Sequence, residues 1–228
     1  MNSTLYAESE RHRYLDRTPD DPHHRAIVSA VLAAAGAAPG ATLLEIGAGR
    51  GRYTEMLLDR GFEVIAIEPD AALAAALRRR FDGSDRIRVV EAVLCDEAIS
   101  ECGRFAAMVG FHVLHHFDPA TLACLERTLV ARTGIGAAFL EPNPLNPLYP
   151  VQIALHPAMR FREEQWLWRR TVGPASPCPS LKVAAHLGLL PPGLSRRFGG
   201  LVPSSLCSPC WAPWSAYRLI VRSMEPAS

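Results

Sequence analysis

The stretch Leu43-Leu44-Glu45-Ile46-Gly47-Ala48-Gly49-Arg50-Gly51-Arg52-Tyr53 constrains this chain more than any other. A short apolar run leads into three alternate glycines and then into a helical pattern. Glycine permits positive φ and lets a ligand approach the backbone closely. The carboxyl ends of strands are where open α/β sheets bind ligands. The neighbouring elements alternate in the same way. Apolar runs at 43–46, 64–67, 87–90, 106–109 and 137–140 read as strands, and the patterns at 26–35, 52–60, 71–80 and 119–132 read as helices. Continuous apolar strands separated by helices predict a parallel sheet covered on both faces. That is a doubly wound α/β domain.

Charge narrows the partners. Lys+Arg 24 against Asp+Glu 23 leaves a formal net charge of +1, too little for a general electrostatic grip on nucleic acid or on an anionic membrane. The first 21 residues are polar and show no signal-peptide core, and no run of about 20 apolar residues is long enough to span a bilayer. A cytoplasmic protein with a small-molecule substrate is expected, with no nucleic acid and no membrane as partner; a homodimer is compatible with the chain. Cys95, Cys102, Cys124, Cys178, Cys207 and Cys210 are expected to behave as small hydrophobes. Cys207-Ser-Pro-Cys210 has zinc-like spacing, but no second close Cys/His pair follows it, so no structural metal is expected.

Glu68 ends the second predicted strand, 23 residues after Glu45, and is followed by Pro69-Asp70. A carboxylate there can accept both hydroxyls of a ribose. Dinucleotide oxidoreductases place such an acid after G-x-G-x-x-G, but here the last glycine of that pattern is Arg52. Glu45 is also a poor neighbour for a pyrophosphate and suits a cofactor with a cationic end.

At this point the chain resembles the class I S-adenosylmethionine-dependent methyltransferases, whose first motif is an acidic residue followed by G-x-G-x-G. Ile67-Glu68-Pro69-Asp70 is similar to the second motif, and Val113-Leu114-His115-His116-Phe117 to the segment after the fourth strand in the UbiE-like small-molecule branch. Phe139-Leu140-Glu141-Pro142-Asn143 is similar to the end of the fifth. The resemblance implies a Rossmann-like, mostly parallel seven-stranded sheet with 217–221 as its final antiparallel strand. It implies one domain: an N-terminal helical cap over 1–40, a cofactor-binding core over 41–142, and a Pro/Trp-rich lid or extension with the last strands over 143–228. It implies S-adenosyl-L-methionine as cofactor and S-adenosyl-L-homocysteine as product. Glu45, Gly47, Ala48, Gly49, Gly51 and Tyr53 would meet the methionine part, Glu68 and Pro69 the ribose, and Val93, Leu94 and Phe111 the remaining cofactor surface. Glu91 and Asp96 stand where the commoner version of the family has Gly-Asp-Ala, and either could face adenine.

Methyl transfer asks mainly for alignment of nucleophile and methyl group, and a hydroxyl nucleophile also wants a base. His112, His115 and His116 are the catalytic candidates; a helix starting near Phe111 would put all three on one face. His112 is nearest the strand end and comes first, with His12, His23 and His24 of the N-terminal segment behind it. The other reading has the LHH pair only shape the cofactor pocket. No catalytic metal is expected, because no carboxylate pair stands beside the histidines. Nucleic-acid amino methylation favours Asn/Asp-Pro-Pro-Tyr after the fourth strand, where this chain has Phe111-His112-Val113-Leu114. Trp166, Trp168, Trp211 and Trp214 are expected to wall an acceptor pocket or to pack a terminal layer. The rival functions are a non-catalytic S-adenosyl-ligand-binding regulatory domain and, less favoured, an NAD(P)-dependent oxidoreductase.

Overall fold

A computed structural model of the chain describes residues 22–155, 176–188 and 215–222. Helix α1 (Pro22–Ala34) precedes β1 (Thr42–Ile46), α2 (Arg52–Asp59), β2 (Glu63–Ile67), α3 (Ala71–Arg80) and β3 (Ile87–Val90). Then follow α4 (Asp96–Cys102), β4 (Ala107–Phe111), a 3₁₀ turn (Leu114–His116), α5 (Pro119–Ala131), β5 (Gly136–Pro142), α6 (Leu148–Leu155), β6 (Leu181–Leu187) and β7 (Tyr217–Arg222). The seven strands form one sheet in the order β3-β2-β1-β4-β5-β7-β6. β1 to β5 are parallel, with Leu43 opposite both Val64 and Ala107. β7 runs antiparallel to β5 and to β6, with Pro142 opposite Tyr217. The chain order reverses between β1 and β4, so the ends of those two strands flank the crevice where such sheets bind ligands.

Alternation along each strand divides the core in two. Leu43, Val64, Ala66, Val109 and Leu140 pack beneath α1 and α2 with Ile27, Val31, Met56 and Leu57. Leu44, Ile46, Ile65, Met108 and Phe139 pack on the other face with Leu122, Leu125 and Leu129 of α5. The same alternation puts Glu45 on the α1/α2 face, two residues from Leu43. Helix starts follow local chemistry. The Asp70 carboxylate accepts from the Ala72 and Leu73 N–H groups at α3, and Asp118 accepts from Thr121 N at α5, where Pro119 opens the helix. Gly136 lets β5 slide under α1, since a Cβ there would collide with the Ala35 carbonyl.

The predicted strands and helices are present, most within two residues and the first helix starting four residues earlier than read. Three elements were not read from the sequence: the short helices α4 and α6 and the edge strand β6. One reading is corrected. No helix begins near Phe111: that residue ends β4, His112 takes a left-handed backbone (φ 57), and only Leu114–His116 form a single 3₁₀ turn. His112, His115 and His116 therefore do not share a helical face. Among the described residues, no helix is long and apolar enough to cross a membrane. Cys95, Cys102, Cys124 and Cys178 are free thiols, and Cys207 and Cys210 lie outside the described residues.

Candidate functional site

The loop after β1 is tied to β2 before any ligand is considered. Gly47 N–H donates to the Ile67 carbonyl at 2.9 Å. All three loop glycines have positive φ: 70° at Gly47, 57° at Gly49 and 83° at Gly51. Two of them are also sterically required. A Cβ on Gly47 would collide with the Val113 side chain, and one on Gly51 would lie 2.6 Å from Leu77 Cδ1 and Phe81 Cε2. Gly49 is different, because a Cβ there would meet nothing within 4 Å. Its outer side is open, which is the space a backbone-hugging ligand needs.

Glu68 sits just beyond β2 and is buried. Oε2 accepts from Gly49 N–H at 2.8 Å and Oε1 from Asp70 N–H at 3.0 Å, so one carboxylate joins the glycine loop to the start of α3. Burial pushes its pKa up, against the pull of the two N–H groups. A carboxylate has about four acceptor positions and two are used here, so two can receive vicinal hydroxyls. Beyond β3, Leu94 is buried while Val93 is 59% exposed, an apolar surface at the ligand end of the sheet. Neither acid of this segment is idle: Glu91 pairs with Arg78 and Asp96 with Arg127, both at 2.9 Å on the exposed surface.

Glu45 is 2% exposed. Its Oε2 accepts from Thr54 Oγ1 at 2.6 Å, so the carboxyl lies under the loop, against α2. Burial pushes its pKa up to about 8, opposed by the Thr54 bond and reinforced by Glu68. At neutral pH this group is largely a neutral acid, which alters the sequence-based expectation of a carboxylate facing a cation.

The β4–β5 side of the crevice is built around Glu141, fully buried in β5. Its Oε1 accepts from Val113 and Leu114 N–H, each at 2.8 Å, and its Oε2 lies 2.7 Å from His115 Nδ1. Burial pushes this carboxyl up, but the His115 charge and hydrogen bond outweigh it and hold the pKa at about 2. The turn that Glu141 holds carries Val113, the side chain pressed on Gly47, so β5 is coupled through the turn to the glycine loop. His116 packs on His115 with ring centroids 4.0 Å apart, and burial lowers its pKa to about 3. Asn143, carried on past β5, donates to the Ser215 carbonyl at 2.9 Å and links the strand to the segment entering β7.

His112 N–H donates to the Leu140 carbonyl at 2.7 Å. The ring lies between Tyr53 and Tyr217, with centroids 6.0 and 5.4 Å away, and Nε2 is 3.3 Å from the Tyr53 hydroxyl. Tyr53 in turn stacks on Phe111 at 4.1 Å. Burial drives the His112 pKa down to about 3; Glu141 opposes this, while His115, Arg52 and His24 add to it. The imidazole is neutral, so the Tyr53 hydroxyl can donate to it.

Of the candidates, Gly47, Ala48, Gly49, Gly51, Tyr53, Glu68, Pro69, Phe111 and His112 come together at the ends of β1, β2 and β4. His115 is drawn into the brace on Glu141. His24 of α1 reaches Arg52, while His12 and all four tryptophans lie outside the described residues. Among the described residues, no group of three or more His, Cys, Asp or Glu could hold a metal. Two contributors escaped the sequence reading: Thr54, whose partner is nine residues away, and Glu141 as an anchor. The one available signal for Glu141 was a lone acid ending an apolar strand, the same signal that exposed Glu68.

The donor set fits the implied cofactor: an open glycine, a buried carboxylate with spare acceptor capacity, and an exposed apolar face beyond β3. Comparison with known proteins agrees. Residues 43–131 match the family described as "Methyltransferase domain". A ribosomal RNA small subunit methyltransferase A from Thermosynechococcus vestitus is 40% identical over 90 residues, 39% of this chain and 34% of that protein. Its counterpart from Methylococcus capsulatus is 46% identical over 65 residues, 28% of this chain and 25% of that one. The chain thus spans only a quarter to a third of these relatives. A TehB-like SAM-dependent methyltransferase structure from Corynebacterium glutamicum superposes with TM-score 0.54 at 19% identity, covering 98% of both chains. The glycopeptide N-methyltransferase MtfA, solved with S-adenosyl-L-methionine, superposes with TM-score 0.54 at 18% identity, covering 92% of this chain and 99% of that one. Residues 43–131 therefore match a methyltransferase domain, and the chain shares the fold of the S-adenosylmethionine-dependent methyltransferase structures on which it superposes.

Proposed function

We propose that this chain transfers a methyl group from S-adenosyl-L-methionine to a small-molecule acceptor, at oxygen, nitrogen or carbon. One observation carries the reading. The glycine loop, with its single open position at Gly49, is strapped by Glu68 at the ends of two adjacent parallel strands. Gly47, Gly49 and Gly51 would hold the amino-acid end of the cofactor through the backbone, Glu68 the ribose hydroxyls, and Val93 with Leu94 the base. The bound cofactor supplies an electrophilic methyl on a sulfonium, whose departure leaves a neutral thioether. The protein's part is alignment and exclusion of water, which can contribute on the order of 7–11 kcal/mol in favourable intramolecular cases. Phe111, Tyr53 and Tyr217 give the crevice aromatic walls. Neutral His112 fixes the Tyr53 hydroxyl, while Glu141 and His115 fix the turn beneath.

A small acceptor is favoured because the ribosomal RNA methyltransferase relatives match only 39% and 28% of this chain, and the segment after β4 lacks an Asn/Asp-Pro-Pro-Tyr pattern. The near-zero net charge agrees. The test is a transfer assay with methyl-labelled cofactor against a small-molecule library and, separately, against small-subunit ribosomal RNA. Label in a small molecule supports the proposal; label only in the RNA would replace it with the relatives' activity. Binding of S-adenosylhomocysteine with no transfer to anything would favour a regulatory domain.

A further inference from the structure

Several partly buried arginines among the described residues donate to oxygen. Arg80 donates to the Arg50 carbonyl at 2.9 Å and pairs with Glu55 at 2.7 Å. Arg86 reaches the Leu58 carbonyl at 2.7 Å, Arg88 the Cys102 carbonyl at 2.6 Å, and Arg222 the Arg132 and Ile135 carbonyls at 2.9 Å. Arg52 does not follow the pattern. It is 8% exposed, its Nε is buried with no hydrogen-bond partner, and Nη2 faces only His24 Nε2, at 3.3 Å. Its Cζ lies 5.3 Å from the centroid of the Tyr53 ring. Among the described residues, no carboxylate or carbonyl oxygen receives this guanidinium.

That arrangement is costly. Removing a guanidinium from water carries a penalty that an uncharged partner cannot offset. Histidine carries no negative charge in either protonation state, so His24 cannot neutralise Arg52, and among the described residues no hydrogen-bonded carboxylate does so. A buried cation left in this state is explained when a ligand brings the anion. Its position agrees: Arg52 is the first residue after Gly51, and its charge is one of those felt by His112 beyond β4. The planar fork of arginine matches a carboxylate through two parallel N–H···O bonds. One cation, one imidazole and the Tyr53 ring suit a singly charged planar anion better than a phosphate dianion.

We infer that Arg52, covered by His24 of α1, is a carboxylate-binding site on the wall of the methyl-transfer pocket. The long side chain reaches the bound anion by rotation, exchanging the single His24 contact for two charge-assisted bonds. The inference rests on the proposed methyl transfer. The carboxylate belongs either to the amino-acid end of the cofactor or to the acceptor.

Binding of S-adenosylhomocysteine and of 5′-methylthioadenosine, which lacks the amino-acid end, is measured by calorimetry for the wild type, Arg52→Met and Arg52→Lys. If the site takes the cofactor's carboxylate, Arg52→Met weakens S-adenosylhomocysteine by about 10- to 100-fold, the range for hydrogen bonds to charged groups. Methylthioadenosine is then unchanged, and Arg52→Lys falls between. If the site takes the acceptor's carboxylate, both nucleosides bind Arg52→Met normally. Benzoate then raises the melting temperature of the S-adenosylhomocysteine-saturated wild type but not of Arg52→Met. Equal nucleoside affinities together with no benzoate effect in either protein overturn the inference. So does a ligand-free Arg52→Met that melts well below the wild type, because removing an uncompensated buried charge should leave stability unchanged or raised. If the wild type binds neither nucleoside, the methyl-transfer reading fails by itself, and benzoate with the ligand-free protein still decides Arg52.

Discussion

Glu68 and Glu141 are a matched pair with opposite properties. Each is a buried carboxylate at the carboxyl end of a parallel strand, and each accepts two backbone N–H bonds. Only Glu141 has an ionisable partner, His115 at 2.7 Å. That one contact reverses the balance: burial wins at Glu68 and raises its pKa, whereas at Glu141 the imidazole wins and holds the pKa at about 2. The saturated carboxylate is a permanent anchor. The carboxylate with spare lone pairs, in a site that disfavours its charge, is poised to gain from hydroxyl donors. Satisfaction, not burial, is what separates these two acids of one sheet.

The largest effect tests the anchor. Glu141→Ala should destabilise the protein by roughly 3–5 kcal/mol, the usual cost of breaking a buried pair, because it strands two N–H groups and His115. A melt followed by far-ultraviolet circular dichroism should show a fall of about 6–20 °C, and Glu141→Gln, which keeps an acceptor, should lose less. A loss under about 1 kcal/mol for the alanine variant would end the distinction. The pH dependence sharpens it. The folded Glu141 pKa is depressed, so its stabilisation is full above the ordinary value near 4.5 and is lost as pH falls towards about 2.

Glu45 should act in the other direction. Its folded pKa is raised to about 8, so its favourable contribution is full below about 4.5 and is lost as pH rises through 8. Between pH 5.5 and 7.5 the wild type should lose about 2–3 kcal/mol through this group alone. Glu45→Gln, still able to accept from Thr54, should flatten that slope in denaturant titrations. An unchanged slope would mean that Glu45 is ionised in the fold after all.

Glu68→Ala comes next. It removes the proposed acceptor for both ribose hydroxyls together with the strap on Gly49, and should weaken S-adenosylhomocysteine by about 10- to 150-fold, corresponding to roughly 1.5–3 kcal/mol. Calorimetry decides it. Unaltered affinity would make Glu68 an anchor like Glu141.

Legibility followed the range of the interactions. The span of α3 and of β2 was readable because Asp70 caps one and the unbroken apolar run at 64–67 makes the other. The Gly49–Glu68 strap could be anticipated because both residues end adjacent strands of one unit. Helix α4 was missed because it has only seven residues and is capped by Cys95, an unusual choice. Edge strand β6, Leu-Lys-Val-Ala-Ala-His-Leu, was missed because its exposed middle and its bulge between Val183 and Ala185 hide the alternation. The 112/115/116 spacing imitated a helix face, yet the left-handed turn at His112 destroys that face. Glu141 and its turn are 26 to 28 residues apart, beyond any local pattern. Arg52 was unreadable because arginine at a helix start is normally solvated.

The smallest expected effect concerns His112, the one non-glycine residue among those described with positive φ. That backbone costs about 1–2 kcal/mol for a side-chain-bearing residue. The ring repays part of it between Tyr53 and Tyr217, so His112→Gly should change stability by no more than about 1 kcal/mol. Chemistry points the same way. An imidazole whose pKa is about 3 holds a proton too weakly to draw one from a hydroxyl efficiently. His112→Asn should therefore slow turnover less than about tenfold, against about 10²- to 10⁴-fold for loss of a general base. The wild-type rate should show no titration of this group between pH 5 and 8. A fall in the larger range, with a rate that drops below pH 7, would restore His112 as the base. Its proton affinity would then have to rise when ligands fill the crevice, and the acceptor-side wall would be as ligand-dependent as the site at Glu68.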